Sequence, residues 1–260
     1  MSDILESIPL IIYSKTAGTY LPDLEIYVDG IKSRFLFDTG AISSQIMSDS
    51  HTNKYESLGK KESKGTSGIG TNQDVIILSE VQFGQRVYKN FKIHRGERSI
   101  LGLDFLQDLL IEIDLKCERL NLLSNFSRTE SLEKINWLST GHLTVPLKLC
   151  EMKIFALFDT GSDSTVIDEK FVRDNSGMFQ LIRSEDGEDA HGNKVPSNVY
   201  SCHEVQIGHL KLQNVEMASF EFGAYLREKM ENVPIILGNN IIYGSKWSFD
   251  LKSGFWCSYN

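Results

Sequence analysis

The chain has 260 residues, 41 % hydrophobic and 24 % charged, a composition that fits a globular protein of one large domain or two ordinary ones. Its net charge of -8 argues against nucleic acid or an anionic membrane surface as the main partner. No apolar run approaches bilayer-spanning length, and the acidic start Met1-Ser2-Asp3-Ile4-Leu5-Glu6 lacks the plan of a secretory signal, so a cytoplasmic location is expected.

In chain order, Ile8 to Tyr13 reads as the first strand and Lys15 to Tyr20 as a turn around Gly18. Leu24, Ile26 and Val28 alternate with polar residues, Asp29-Gly30 is a hairpin signal, and Ile31 to Phe37 is the return strand. That strand runs straight into Asp38-Thr39-Gly40. Ala41 to Met47 is short and apolar enough for a further strand, whereas His51 to Thr66, polar and Lys-rich, reads as a loop. The glycine-dense stretch Gly65 to Asn72 predicts a hairpin tip, followed by the apolar run Val75 to Leu78. Val81 to Phe83 and Val87 to Ile93 flank another hairpin. Leu103 to Leu110 follows Gly102 as a short helix, and Ile111 to Leu123 supplies strands. Ser124 to Lys134 is polar and reads as a linker, which divides the chain into residues 1–125 and 126–260.

Beyond the linker the plan returns. Ala156-Leu157-Phe158-Asp159-Thr160-Gly161-Ser162 repeats Phe35-Leu36-Phe37-Asp38-Thr39-Gly40-Ala41, and Val145, Leu147 and Leu149 stand where Leu24, Ile26 and Val28 stood. Val205-Gln206-Ile207-Gly208 matches Val81-Gln82-Phe83-Gly84, with Asn214 and Asn90 six residues after the glycines. Ile236-Leu237-Gly238 matches Ile100-Leu101-Gly102, and an acid, Asp250 or Asp114, lies twelve residues after each of those glycines. The spacing predicts an internal duplication. Two features lack this symmetry. An acidic run, Ser184 to Asp189, precedes Ala190-His191-Gly192-Asn193 where the first copy has its glycine-rich tip; such runs are usually solvated surface, and its place beside the tip makes a specificity element the alternative. The segment Gly223 to Val233, with Tyr225 to Met230, predicts an extra helix.

An acid at the end of an apolar strand is expensive to bury unless it is hydrogen-bonded or does chemistry. Two of them in matched surroundings point to a pair. Four dispersed cysteines, Cys117, Cys150, Cys202 and Cys257, make neither a disulfide scaffold nor a zinc knuckle, and Cys202-His203 with His209 fits no zinc spacing. No metal and no organic cofactor is expected.

On these residues each half resembles a retropepsin-type aspartic protease subunit: a strand into Asp-Thr-Gly-Ala/Ser, a glycine-rich flap hairpin, and an apolar-apolar-Gly element before a short helix. Retroviral enzymes of this kind are homodimers in which each subunit gives one catalytic Asp; here both subunits are fused. The resemblance implies an all-β acid-protease fold, two similar closed-barrel-like halves related by a pseudo-twofold with few short helices. It implies an aspartic endopeptidase with catalytic Asp38 and Asp159, active on peptide or protein substrates, and a monomer containing its own pseudo-dimer, with a domain-swapped dimer as the variant assembly. Thr39 and Thr160 would hydrogen-bond across the pseudo-dyad. Gly40 and Gly161 would leave room for substrate backbone, and Gly102 and Gly238 would let apolar strands pass behind the acids. Ala41, Ser162, Asp163, Gly68, Ile69, Gly70, His191 and Gly192 are the substrate-binding candidates. Asp163 is matched by Ile42 in the first half, so the cleft is expected to be asymmetric, and the Ser162 hydroxyl is expected to donate to one acid. A protease-like peptide-binding module without turnover, and an unrelated β-protein whose repeated Asp only caps turns, are the competing readings.

Overall fold

The computed structural model describes residues 4–14, 20–64, 70–126, 132–188 and 194–259. The chain is all-β, with three sheets and a few short helices. One eight-stranded sheet has the order Ile11–Tyr13, Leu21–Val28, Ile31–Phe37, Ile100–Leu101, Gln45–Met47, Arg86–Gly96, Gly70–Phe83, Lys60–Lys64. Pairing of Val28 with Val81 joins its second strand to its seventh and closes six strands into a barrel. Another eight-stranded sheet runs Asn136–Trp137, Leu143–Leu149, Met152–Phe158, Ile235–Leu237, Val166–Asp168, Leu210–Phe220, Lys194–Ile207, Phe179–Glu188. Leu149 pairs with Val205 and closes it in the same way.

Alternation fills these barrels. Leu24, Ile26 and Val28 are at most 1 % exposed while Glu25 and Tyr27 point outward, and Val145, Leu147 and Leu149 are likewise buried. Burying each such side chain contributes about 2 kcal/mol. Phe35, Phe37 and Phe158 are fully buried, and Phe158 packs edge-on against Trp247 and Phe249.

The third sheet, of six strands, takes Ile4–Pro9, Arg119–Leu123, Leu110–Asp114, Lys246–Asp250, Phe255–Tyr259 and Glu133–Lys134 in that order. It pairs early with late residues, Ile111 with Phe249 and Glu133 with Trp256, and so ties the chain together below the barrels. Several sequence expectations are corrected here. Ile8 to Tyr13 is not one strand: the chain breaks at Leu10 and serves two sheets. Glu133 and Lys134 are an edge strand rather than linker, because Phe255 and Trp256 offer them a ladder that a local polar pattern does not reveal. Only Gln45–Met47 of the run from Ala41 is strand, since the preceding residues turn to hydrogen-bond the Leu-Gly element. The stretch from His51 contains a 3-10 turn at Thr52–Lys54 and a strand at Lys60–Lys64 held by pairing with Gly70–Asp74. The helix after Gly102 ends at Leu106, because Leu110 already pairs with Asp250. The extra helix is present at Ala224–Lys229, anchored by Arg227 to Asp168 at 2.8 Å.

Candidate active site

Each Asp-Thr-Gly leaves its strand in a tight turn whose amides fold back on the acid. Gly40 N and Ala41 N donate to Asp38 Oδ1 at 2.8 and 2.9 Å, and Gly161 N donates to Asp159 Oδ1 at 2.8 Å. The strands delivering the acids run parallel to the Leu-Gly elements, so Asp38 N donates to Leu101 O at 3.1 Å and Asp159 N to Leu237 O at 3.0 Å.

The threonines join the turns to one another. Thr39 N donates to Thr160 Oγ1 and Thr160 N to Thr39 Oγ1, both at 3.0 Å; each hydroxyl then donates onward, Thr39 Oγ1 to Phe158 O at 2.8 Å and Thr160 Oγ1 to Phe37 O at 2.7 Å. Both residues are buried, so all four bonds are made out of water.

This crossing seats each acid on the opposite turn. A Cβ added at Gly40 would overlap the Asp159 carboxyl, and one at Gly161 would overlap that of Asp38. The space assigned in sequence to substrate backbone is therefore taken by the opposing carboxyl, and close approach is what demands glycine. The two carboxyl groups hydrogen-bond to each other. They are closely surrounded by protein, yet each keeps an open side.

Burial pushes both acids up. The Asp38 charge and its hydrogen bond push Asp159 further, well above the carboxylate range, against the amides of Gly161 and Ser162. For Asp38 the hydrogen bond from Asp159, the Ala41 and Gly40 amides and the Arg98 charge oppose burial. Both acids are thus raised, Asp159 the further of the two. The Ser162 hydroxyl does not decide this: it donates to Ser164 O at 2.7 Å, within its own turn, which corrects the expectation that it serves an acid.

Behind the acids, a Cβ on Gly102 would lie 2.7 Å from Ala41 O, and one on Gly238 would collide with the Ser164 carbonyl. Two residues missed in sequence hold these crossings. Ser44 N and Oγ donate to Asp104 at 2.9 and 2.6 Å, and Thr165 N and Oγ1 donate to Asn240 Oδ1 at 2.7 and 2.8 Å. Their signal was an Asp or Asn two residues after each Leu-Gly. Gly238→Ala is expected to cost about 3 kcal/mol in urea denaturation because backbone must move. Gly223→Ala, with open space around its Cβ position, is the control and should lose nothing.

His142 is a further residue the sequence did not flag. Its Nδ1 lies 2.7 Å from Thr140 Oγ1, and its ring, on the loop before Leu143, lies near the Gly40 backbone of the first turn. Burial pulls its pKa down to about 4, so the ring is neutral when the acids share their proton. The second turn is braced from behind: Asn239 Nδ2 donates to Tyr20 O and to Thr160 O, both at 2.7 Å, and Tyr20 stacks on Tyr243 at 4.0 Å.

Of the substrate-binding candidates, Ala41, Ser162 and Asp163 lie half-buried on the two turns. Gly70 opens its strand opposite Lys64. Gly68, Ile69, His191 and Gly192 lie outside the described residues. The acidic run begins as ladder, Ser184 to Glu188 pairing with Asn198 to Lys194, and Glu185 and Asp186 line a cavity there. Asp114 and Asp250 cap hairpin turns, accepting from Cys117 N and Ser253 N at 3.0 and 2.9 Å. Among the described residues there is no cluster of metal-ligating side chains, and no helix is long and apolar enough to cross a membrane.

Residues 145–241 match the aspartyl protease family. This part of the chain is thus similar to a retropepsin-like aspartic protease domain, and it contains Asp159-Thr160-Gly161, Gly238 and Asn240; Asp38 lies outside it. No curated protein matches the chain.

Proposed function

We propose that the protein is an aspartic endopeptidase in which Asp38 and Asp159 activate one water molecule against a peptide bond. The observation carrying this reading is the reciprocal seating of each carboxyl over the other's glycine, which has a purpose only if the two acids act together. The reading includes two halves, residues 1–125 and 126–260, related by duplication and a pseudo-twofold. Matching backbone details favour it: Asp29 and Cys150, Gly84 and Gly208, and Asn90 and Asn214 occupy the left-handed region at φ 48 and 49°, 58 and 54°, and 54 and 53°.

The ionised member of the pair takes a proton from a water held between the carboxyls, and the protonated member donates to the scissile carbonyl oxygen. The water oxygen forms a bond to the carbonyl carbon. The acid now protonated then gives its proton to the leaving nitrogen while the other acid takes one from a hydroxyl of the tetrahedral intermediate, so the C–N bond breaks, the carboxyl product forms and the pair again holds one proton. The roles belong to the pair. Activity requires one shared proton, so the rate should rise as the doubly protonated pair loses its first proton and fall as Asp159 ionises. Because Asp159 is held well above the carboxylate range, a mildly acidic optimum is expected, and a rate still climbing above neutral pH would count against the assignment.

The test is cleavage of a diverse unstructured peptide mixture between about pH 4 and 7, read by mass spectrometry, with a peptide carrying a non-hydrolysable hydroxyl at the scissile position as inhibitor. Cleavage blocked by that analogue supports the reading. Intact peptides after incubation with folded protein across this range would remove it.

A further inference from the structure

One connection differs sharply between the two barrels. The strand Arg86–Gly96 reaches Ile100–Leu101 through residues 97–99, whereas Leu210–Phe220 reaches Ile235–Leu237 through residues 221–234, which hold the extra helix. This added segment has a small core of its own. Its Phe222, Met230 and Val233 pack with Leu138, Leu157 and Ile236 in a cluster separate from the main one. Leu138 brings to that cluster the loop leading into Leu143–Leu149. Ser139 N donates to Glu231 Oε1, just beyond the helix, and Thr140 Oγ1 approaches Lys229 O at 3.5 Å. The loop then folds back, Leu138 N donating to His142 O at 3.0 Å and Gly141 N to Leu138 O at 2.8 Å.

From this anchor the loop reaches the turn that bears Asp38. Gly141 takes φ 90°, and a Cβ there would lie 3.8 Å from Ile42 Cγ2. Next to it, the His142 ring lies near the Gly40 backbone, with Nδ1 2.7 Å from Thr140 Oγ1. The other turn is held differently. Asn239, directly after Gly238, donates to Thr160 O from within the same barrel. Leu103, directly after Gly102, has no group that could do the same for the first turn.

We infer that His142 is a positioning residue for Asp38, carried to the first turn by the added segment 221–234. It stands in for the bond that Leu103 cannot make. Nδ1 is taken by Thr140, which leaves Nε2 to serve the Gly40 backbone. Gly40 N and Ala41 N in turn hold the Asp38 carboxyl, so a shift of this turn moves the acid with it.

The inference rests on the proteolytic reading, so two measurements are made on the full-length wild type, His142→Phe, His142→Gln and Glu231→Ala. The first is amide hydrogen exchange, read by mass spectrometry in peptides covering residues 38–42 and 159–163. His142→Phe keeps a ring and removes both nitrogens. It is expected to speed exchange in 38–42 by at least about 10-fold and to leave 159–163 within about 2-fold. His142→Gln, whose amide reaches as far as Nε2, should stay near wild type. Glu231 is exposed, so Glu231→Ala serves if the Phe variant does not fold, and it should speed 38–42 by about 3-fold. Acceleration of both turns alike, or of neither, overturns the inference. The second measurement is steady-state cleavage. In His142→Phe, kcat should fall on the order of 10²-fold with KM within about 3-fold, and Gln should restore most of the loss. Unchanged kcat in His142→Phe overturns the positioning role and leaves the protease standing. A wild type that cleaves nothing removes the protease, and exchange alone then decides whether His142 holds this turn.

Discussion

Asp38→Asn and Asp159→Asn are each expected to lower kcat/KM by at least about 10³-fold while leaving the fold intact. An amide at either position can neither share the proton nor accept one from water, and the remaining acid cannot take both roles. The change in stability should run the other way. Both acids have folded-state pKa values raised by burial, and Asp159 is raised further by the Asp38 charge. Below the unfolded carboxylate range each group is protonated in both states and contributes nothing. As pH rises toward the folded values, the unfolded chain ionises first, and folding loses stability that is still missing at neutral pH. Asn variants escape this penalty. Their melting temperature at pH 7 should equal or exceed that of wild type, and the gap should close below about pH 4. Thermal unfolding at the two pH values checks it; melting lowered equally at both would mean that the carboxyls hold the fold rather than strain it. Mixing the two inactive variants is expected to restore nothing, because the threonine crossing joins both turns within one chain.

Thr39→Val is expected to cost about 2–4 kcal/mol and to reduce kcat well beyond its effect on KM. The isosteric change leaves the Thr160 amide without its acceptor and the Phe158 carbonyl without its donor, in a place Thr39 fills at 1 % exposure. Water cannot replace either partner there. Thr39→Ser keeps the hydroxyl and should lose under about 1 kcal/mol. The kinetic loss follows from the stability loss: the crossing sets each turn beside the other, and a displacement of about 1 Å between catalytic groups costs on the order of 10²-fold in rate. Urea denaturation with steady-state kinetics on both variants separates the terms. Equal behaviour of Val and Ser would remove the hydroxyl from the argument. Thr160→Val should mirror Thr39→Val, and the double variant should fall short of their sum because the four bonds form one ring.

The acids, the threonines, the glycines and the strands leading to them were legible in the sequence because they are set by local rules. Period-two alternation shows which strand face is buried, and an abrupt stop in Asp-Thr-Gly marks the turn. The same reading did not show that Gly40 faces Asp159 rather than substrate, that Ser162 bonds within its own turn, or that Asp104 and Asn240 hold the crossings. Each of these is a contact between segments at least two residues apart, and most of them tens of residues apart, whose chemistry is visible only once both sides are placed. The same holds for the strand at Glu133–Lys134, whose partner is at the far end of the chain, and for His142, an ordinary histidine in sequence that the fold sets near the Gly40 backbone. Sequence alone determined an all-β plan and a pair of acids at the ends of matched apolar strands. Tertiary structure decided how strongly each acid is desolvated and which groups oppose that burial, because desolvation and hydrogen-bond supply depend on neighbours that only folding brings near.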